Sequence, residues 1–230
     1  MTTKYILAVG CSFTIGHDAS STDTIFGVGG REEAHNWPHH LGKLTNRKVV
    51  NEGKNGVGSF YMINKVYELV DRYKDKDCVV MVMWSGLHRY DMIWNDKWGN
   101  EQWIHSGMSE TGREGFRLNY ERYMYDDQNA YYHTILNMLN VQNFLKQKNI
   151  KYLFLTHKDI LSEFYGKYKK INYLEKCIDW DNFYFHDGFK GCSEWCIENG
   201  LELDDTNHPY PEGYKKYAEH LHDKLKTKVF

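Results

Sequence analysis

Proline is scarce, with 3 residues in 230, so the chain holds no Pro-rich spacer and no collagen-like tract. Cysteine is present five times, an odd count with no C-x-x-C pair among Cys11, Cys78, Cys177, Cys192 and Cys196. Any full pairing leaves one over, and the set reads as the reduced thiols of a cytosol-made protein. Long apolar runs are missing too. The N-terminus reaches Gly10 after only Tyr5 to Val9, too short for the core of a signal peptide, and no later stretch approaches the roughly 18 apolar residues of a membrane helix. The expectation is synthesis in the cytoplasm without a signal peptide and no membrane insertion, with a non-classical route or release on lysis as routes outward. An excess of one charge is also lacking: 29 Lys and Arg face 31 Asp and Glu, net −2. A dedicated nucleic-acid binder would carry a basic field, so nucleic acid is not an expected partner.

Aromatic rings are plentiful. Seven Trp, 18 Tyr and 11 Phe make 16% of the chain, to be absorbed either by core and lid packing or by a surface that stacks on flat ligands such as sugar rings.

Tyr5–Val9 is a continuous apolar run closed by Gly10, which suits a strand buried on both faces. Trp37, Leu41 and Leu44 fall at helical spacing, and Lys48–Asn51 reads as a second strand before a Gly-rich turn. Ser59 is placed to cap a helix running to about Tyr73. The run Asp77–Trp84 is the longest apolar stretch and the natural central strand. A helix over about 130–148, a strand over Tyr152–Thr156 and a final helix after Pro211 complete the pattern. Alternation of strand and helix predicts a single α/β domain: a parallel sheet covered by helices on both faces. Two ring-rich excursions, over about 89–127 and 157–203, interrupt the rhythm. Such excursions lie over the carboxyl ends of the strands, where open α/β sheets bind ligands.

In that architecture the turn after the first strand, Gly10-Cys11-Ser12-Phe13-Thr14-Ile15-Gly16, delivers a serine to the functional edge. Alone, Ser12 is equally a turn or cap residue. A serine nucleophile needs a base, and the base needs an orienting carboxylate. Asp205-Thr206-Asn207-His208-Pro209 near the other end could supply both, since one turn can set the carboxylate against one imidazole nitrogen; by itself the segment is also a simple helix-capping turn.

Taken in order, Gly10-x-Ser12-Phe13-Thr14-x-Gly16, Asn51-x-Gly53-x-x-Gly56 and Asp205-x-x-His208-Pro209 resemble the sequence blocks of the SGNH/GDSL hydrolases, and the resemblance spans nearly the whole chain. It implies a three-layer α/β/α sandwich around a flavodoxin-like parallel sheet of about five strands, and ester hydrolysis through an acyl-enzyme with no cofactor, with Ser12 as nucleophile, His208 as general base and Asp205 as its orienting partner. It further implies that the N–H groups of Ser12 and Gly56 donate to the oxyanion. Two departures stand out. Cys11 replaces the family's Asp, and the block normally Gly-x-Asn-Asp is here Trp84-Ser85-Gly86-Leu87-His88-Arg89, so the oxyanion Asn is absent. An unreplaced donor of that kind costs roughly 3–4 kcal/mol of transition-state stabilisation. Ser85, His88 or Arg89 is the candidate substitute. Together with Gly-Cys-Ser-Phe-Thr, this variant block is similar to SGNH-like proteins carried by bacteriophages.

The rings of the excursions, Trp94 among them, would with Trp84 and Arg89 line a cleft for an acylated small molecule or glycan. The favoured reaction is O-deacetylation of a carbohydrate; the alternative is an SGNH-fold glycan-binding or virion-structural module that has lost turnover. Three other groupings take the blander reading. His35, His39 and His40 lack a partner carboxylate or Cys at metal-ligand spacing, so no metal is expected there. Cys192 and Cys196 read as core thiols on a helix, and Lys167-Tyr168-Lys169-Lys170 as a solvated helix face.

Overall fold

The computed structural model describes residues 3–16, 35–95, 101–105 and 114–226. Four strands, β1 (Lys4–Gly10), β2 (Lys48–Asn51), β3 (Asp77–Trp84) and β6 (Lys151–Thr156), form one parallel sheet in the order β2-β1-β3-β6. The inner pair carries the unbroken apolar runs: Ile6 to Val9 and Val79 to Trp84 are all without exposed surface. Both sheet faces must therefore be covered, and helices do so. On one face α2 (Trp37–Thr45) packs on α8 (Pro211–Leu225), with α7 (Cys192–Glu198) against α8; α3 (Ser59–Arg72) meets α5 (Asp127–Gln147) on the other. Shorter pieces are α1 (Ser12–Ile15), α4 (Glu114–Tyr123) and α6 (Asn172–Glu175).

The sheet has four strands among the described residues where about five were expected. The fifth is reduced to a bridge: Phe183 pairs in parallel with Phe154, and the Tyr184 N–H donates to the Phe154 carbonyl at 2.9 Å. Trp180–Asn182 turns as a 3-10 helix just before it, so the chain cannot run extended long enough to form a ladder.

Helix α3 begins differently from the expectation. Ser59 is its first residue, not its cap; Gly58 holds the cap position without a side chain. The buried Asp91 supplies the missing acceptor, taking hydrogen bonds from the N–H of Gly58 at 2.7 Å and of Tyr61 at 2.9 Å. A cap contributed from a distant segment has no local signature. Asp91 opens β4 (Asp91–Asn95), which forms an antiparallel hairpin with β5 (Glu101–His105) inside the first excursion.

The described rings pack mainly on one another. Tyr90 stacks on Tyr120 at 5.0 Å, Trp103 meets Tyr61 at 5.6 Å, and Trp180, Phe183, Phe185 and Phe189 form a second cluster. The packing reading thus accounts for most of them. Trp98 and the side chains of Trp94 and Phe116 lie outside the described residues. Lys167, Lys169 and Lys170 are exposed but lie in turns, not on a helix, and Tyr168 is half-buried against the core. Cys192 and Cys196 are fully buried free thiols on α7. No helix among the described residues is long and apolar enough to cross a membrane.

Candidate active site

Strand β1 ends at Gly10, where a Cβ would come within 2.0 Å of the Thr14 hydroxyl, so the chain can fold back at once into α1. That single turn carries Ser12 to the sheet's carboxyl edge. Two ties hold it. The Asn51 amide donates to the Thr14 carbonyl at 2.7 Å, and Gly53 abuts the backbone of Thr14 and Ile15 where any Cβ would clash. The Asn51–Gly56 turn is further pinned by Lys54 N–H donating to the Gly10 carbonyl at 3.1 Å. Gly56 is buried in a left-handed conformation, φ +72°, which glycine adopts without strain.

Ser12 and His208 meet. Ser12 Oγ lies 2.6 Å from His208 Nε2, and both residues are buried. The ring of Phe13 stacks on the His208 imidazole, centroids 4.3 Å apart at 28°, and fixes its plane. Pro209 stiffens the exit, and Leu203 pairs with Pro209 across the loop, closing residues 203–209 into a tight hairpin-like turn.

Asp205, the expected orienting carboxylate, is corrected by the structure. It sits exposed at the tip of the turn Asp204–Asn207, which is closed by the Asn207 N–H donating to the Asp204 carbonyl at 2.9 Å and by Asn207 at φ +64°. Asp204, one residue earlier, is the buried one. Its Oδ1 accepts from the Thr206 N–H at 2.7 Å, the Thr206 hydroxyl at 2.6 Å and the His208 N–H at 2.9 Å. Burial pushes its carboxyl upward, but these hydrogen bonds and the neighbouring His208 outweigh it and hold the group below the ordinary Asp value. The first position of such a turn points its side chain back at the following amides, whereas the second points away.

Trp84 is likewise corrected: its side chain has no exposed surface and packs edge-on against Phe154, so it belongs to the core. Ser85 is buried, with an Oγ that has no hydrogen-bond partner among the described residues. The His88 ring folds over Gly86, and Arg89 holds Nε and Nη1 buried and unpartnered among the described residues. At the carboxyl ends of β3 and β6 a cavity of about 370 Å³ is lined by Gly86, Leu87, His88, Lys158, Ile160 and Phe164, among others.

Sequence reasoning missed His157. It follows β6, is buried, and lies 5.0 Å from the Phe13 ring. Burial, reinforced by Arg89, lowers its pKa to about 3. It is neutral at pH 7, and because its Nδ1 faces the Trp84 carbonyl at 3.1 Å, that nitrogen carries the proton and donates. Among the described residues no group of three or more His, Cys, Asp or Glu is arranged to hold a metal ion.

No protein-family model matches the chain, and no curated protein matches its sequence. Solved structures do match its fold. The chain is similar to a variant of Axe2, an acetyl xylan esterase from Geobacillus stearothermophilus, at 16% identity over 98% of this chain and 96% of that one, TM-score 0.52. It is similar to a member of the lipolytic protein G-D-S-L family from Veillonella parvula at 12% identity, over 99% and 100% of the two chains, TM-score 0.51. The psychrotrophic esterase EstA from Pseudoalteromonas sp. gives 12% identity, 97% of each chain and TM-score 0.51. The expected α/β architecture is thereby shown, with helices on both faces of a parallel sheet.

Proposed function

We propose that the protein is a serine ester hydrolase in which Ser12 forms an acyl-enzyme. One observation carries this reading: the 2.6 Å contact between a serine hydroxyl and an imidazole nitrogen 196 positions apart, at the sheet edge where such folds bind ligands. Ser12 attacks the acyl carbonyl as His208 Nε2 takes the hydroxyl proton. The tetrahedral oxyanion is met by the N–H groups of Ser12 and Gly56, and the imidazolium then returns the proton to the leaving alcohol. Water repeats the sequence on the acyl-enzyme, restoring Ser12. No step calls for a metal or an organic cofactor.

In the place of the missing oxyanion Asn, the Ser85 hydroxyl, without a hydrogen-bond partner among the described residues, is the substitute we favour. The cavity beside Gly86–His88 would receive part of the substrate, and Arg89 and His88 border the same block. For the substrate we favour an O-acetylated carbohydrate. A structural neighbour of matching length acts on acetyl xylan, and a chain of mean hydropathy −0.69 is poorly suited to an open lipid-binding surface.

The test is hydrolysis of para-nitrophenyl acetate and of an acetylated xylan by the wild type and Ser12→Ala. Activity that vanishes in Ser12→Ala supports the reading; equal rates in both proteins would end it. Glycan binding that survives Ser12→Ala, in a wild type that a fluorophosphonate fails to label, would instead identify a binding module.

A further inference from the structure

The Asp204 carboxylate and the His208 imidazole face each other without a direct hydrogen bond. Asp204 Oδ1 stands 3.8 Å from His208 Nδ1, beyond hydrogen-bond length. The Thr206 hydroxyl fills the gap, 2.6 Å from Asp204 Oδ1 and 2.6 Å from His208 Nδ1. A hydroxyl has one proton, and an ionised carboxylate can only accept. The proton therefore goes to Asp204, since the reverse arrangement would press two lone pairs together at 2.6 Å. The same hydroxyl oxygen then accepts from His208 Nδ1–H. With the neutral ring's single proton fixed on Nδ1, the Nε2 lone pair is left facing Ser12, which is the tautomer a general base requires.

Building on the hydrolase reading, we propose that Thr206 is a positioning residue: its hydroxyl is the link through which Asp204 orients His208, in a four-membered chain Ser12–His208–Thr206–Asp204, and Asp205 takes no part. Asp204 is held independently of the ring, because its Oδ1 also accepts from the N–H groups of Thr206 and His208. Removing the hydroxyl alone would leave the carboxylate in place and out of reach. Thr206 is exposed as a residue, and Val matches its shape, so the substitution isolates the link from the packing.

The full-length chain is compared as wild type, Thr206→Val, Thr206→Ser and Asp205→Asn, by para-nitrophenyl acetate kinetics across pH and by NMR titration of the His208 imidazole. Thr206→Val lowers kcat by on the order of a hundredfold with KM within about twofold. It also moves the acid limb of the profile to lower pH, because the imidazolium loses its connection to a negative charge. Thr206→Ser recovers kcat to within about threefold, and Asp205→Asn stays within about threefold of wild type. A Thr206→Val enzyme of wild-type kcat, a Thr206→Ser enzyme as impaired as the Val form, or a loss confined to Asp205→Asn would overturn the proposal. Absence of Ser12-dependent hydrolysis in the wild type refutes the hydrolase reading instead. The NMR arm then still decides the link: a His208 pKa lowered in Thr206→Val and restored in Thr206→Ser supports it, and an unchanged pKa overturns it.

Discussion

Ser12 Oγ and His208 Nε2 lie 2.6 Å apart although the two residues stand at opposite ends of the chain. If the imidazole activates the hydroxyl, His208→Asn removes the base and leaves the nucleophile. A fluorophosphonate should label wild-type Ser12, and the labelling rate of His208→Asn should fall by at least about a thousandfold, followed by intact-mass spectrometry.

Phe13 stacks on the His208 ring and also touches His157. Phe13→Leu keeps an apolar side chain but gives up the flat contact. Its kcat is expected to fall by about tenfold with KM little changed, since the imidazole is less well aimed while substrate contacts persist. Steady-state kinetics on a short-chain ester checks this.

Asp91 gives α3 its N-terminal acceptor. Asp91→Ala leaves two N–H groups without that acceptor in a buried setting and should cost about 1–3 kcal/mol, read as a lowered urea midpoint with unchanged slope.

Acid should unfold the protein partly through His157. Burial lowers its pKa to about 3 in the folded state and that of His40 to about 4, against 6.5 for an ordinary histidine. Between those values the unfolded chain binds more protons, so stability falls as pH drops from about 6.5 towards 3. The melting temperature should decline over that window, and His157→Asn should show a flatter decline whatever its starting stability.

Of the five cysteines, only Cys177 is exposed. Burial raises the thiol pKa of Cys78 and of Cys192, which suppresses the reactive thiolate. Ellman's reagent should titrate one thiol quickly in the native protein and all five after unfolding.

The apolar runs of β1 and β3 and the helical spacing of α2, α3 and α5 were legible because burial on two faces or one stripe leaves a periodic trace. Ser12 and His208 were legible for a different reason: each sits in a short block with fixed turn chemistry. The Asp205 assignment went astray because it rested on spacing. Counting three residues back from His208 gives Asp205, while the left-handed Asn207 and the closed turn direct Asp204 inward. Asp91 and His157 left no trace at all. Their partners, Gly58 and the Trp84 carbonyl, lie 33 and 73 positions away.

The lone bridge between Phe154 and Phe183 bears on how the open edge of the sheet is covered. A parallel sheet that simply stopped at β6 would present open backbone donors and acceptors to any passing chain. Here Tyr184 occupies the Phe154 carbonyl, and the rings of Trp180, Phe183 and Phe185 are heaped along that flank. The aromatic segment serves as a guard rail against strand-by-strand aggregation, at a rim where a full fifth strand would only have moved the exposed backbone outward by one position.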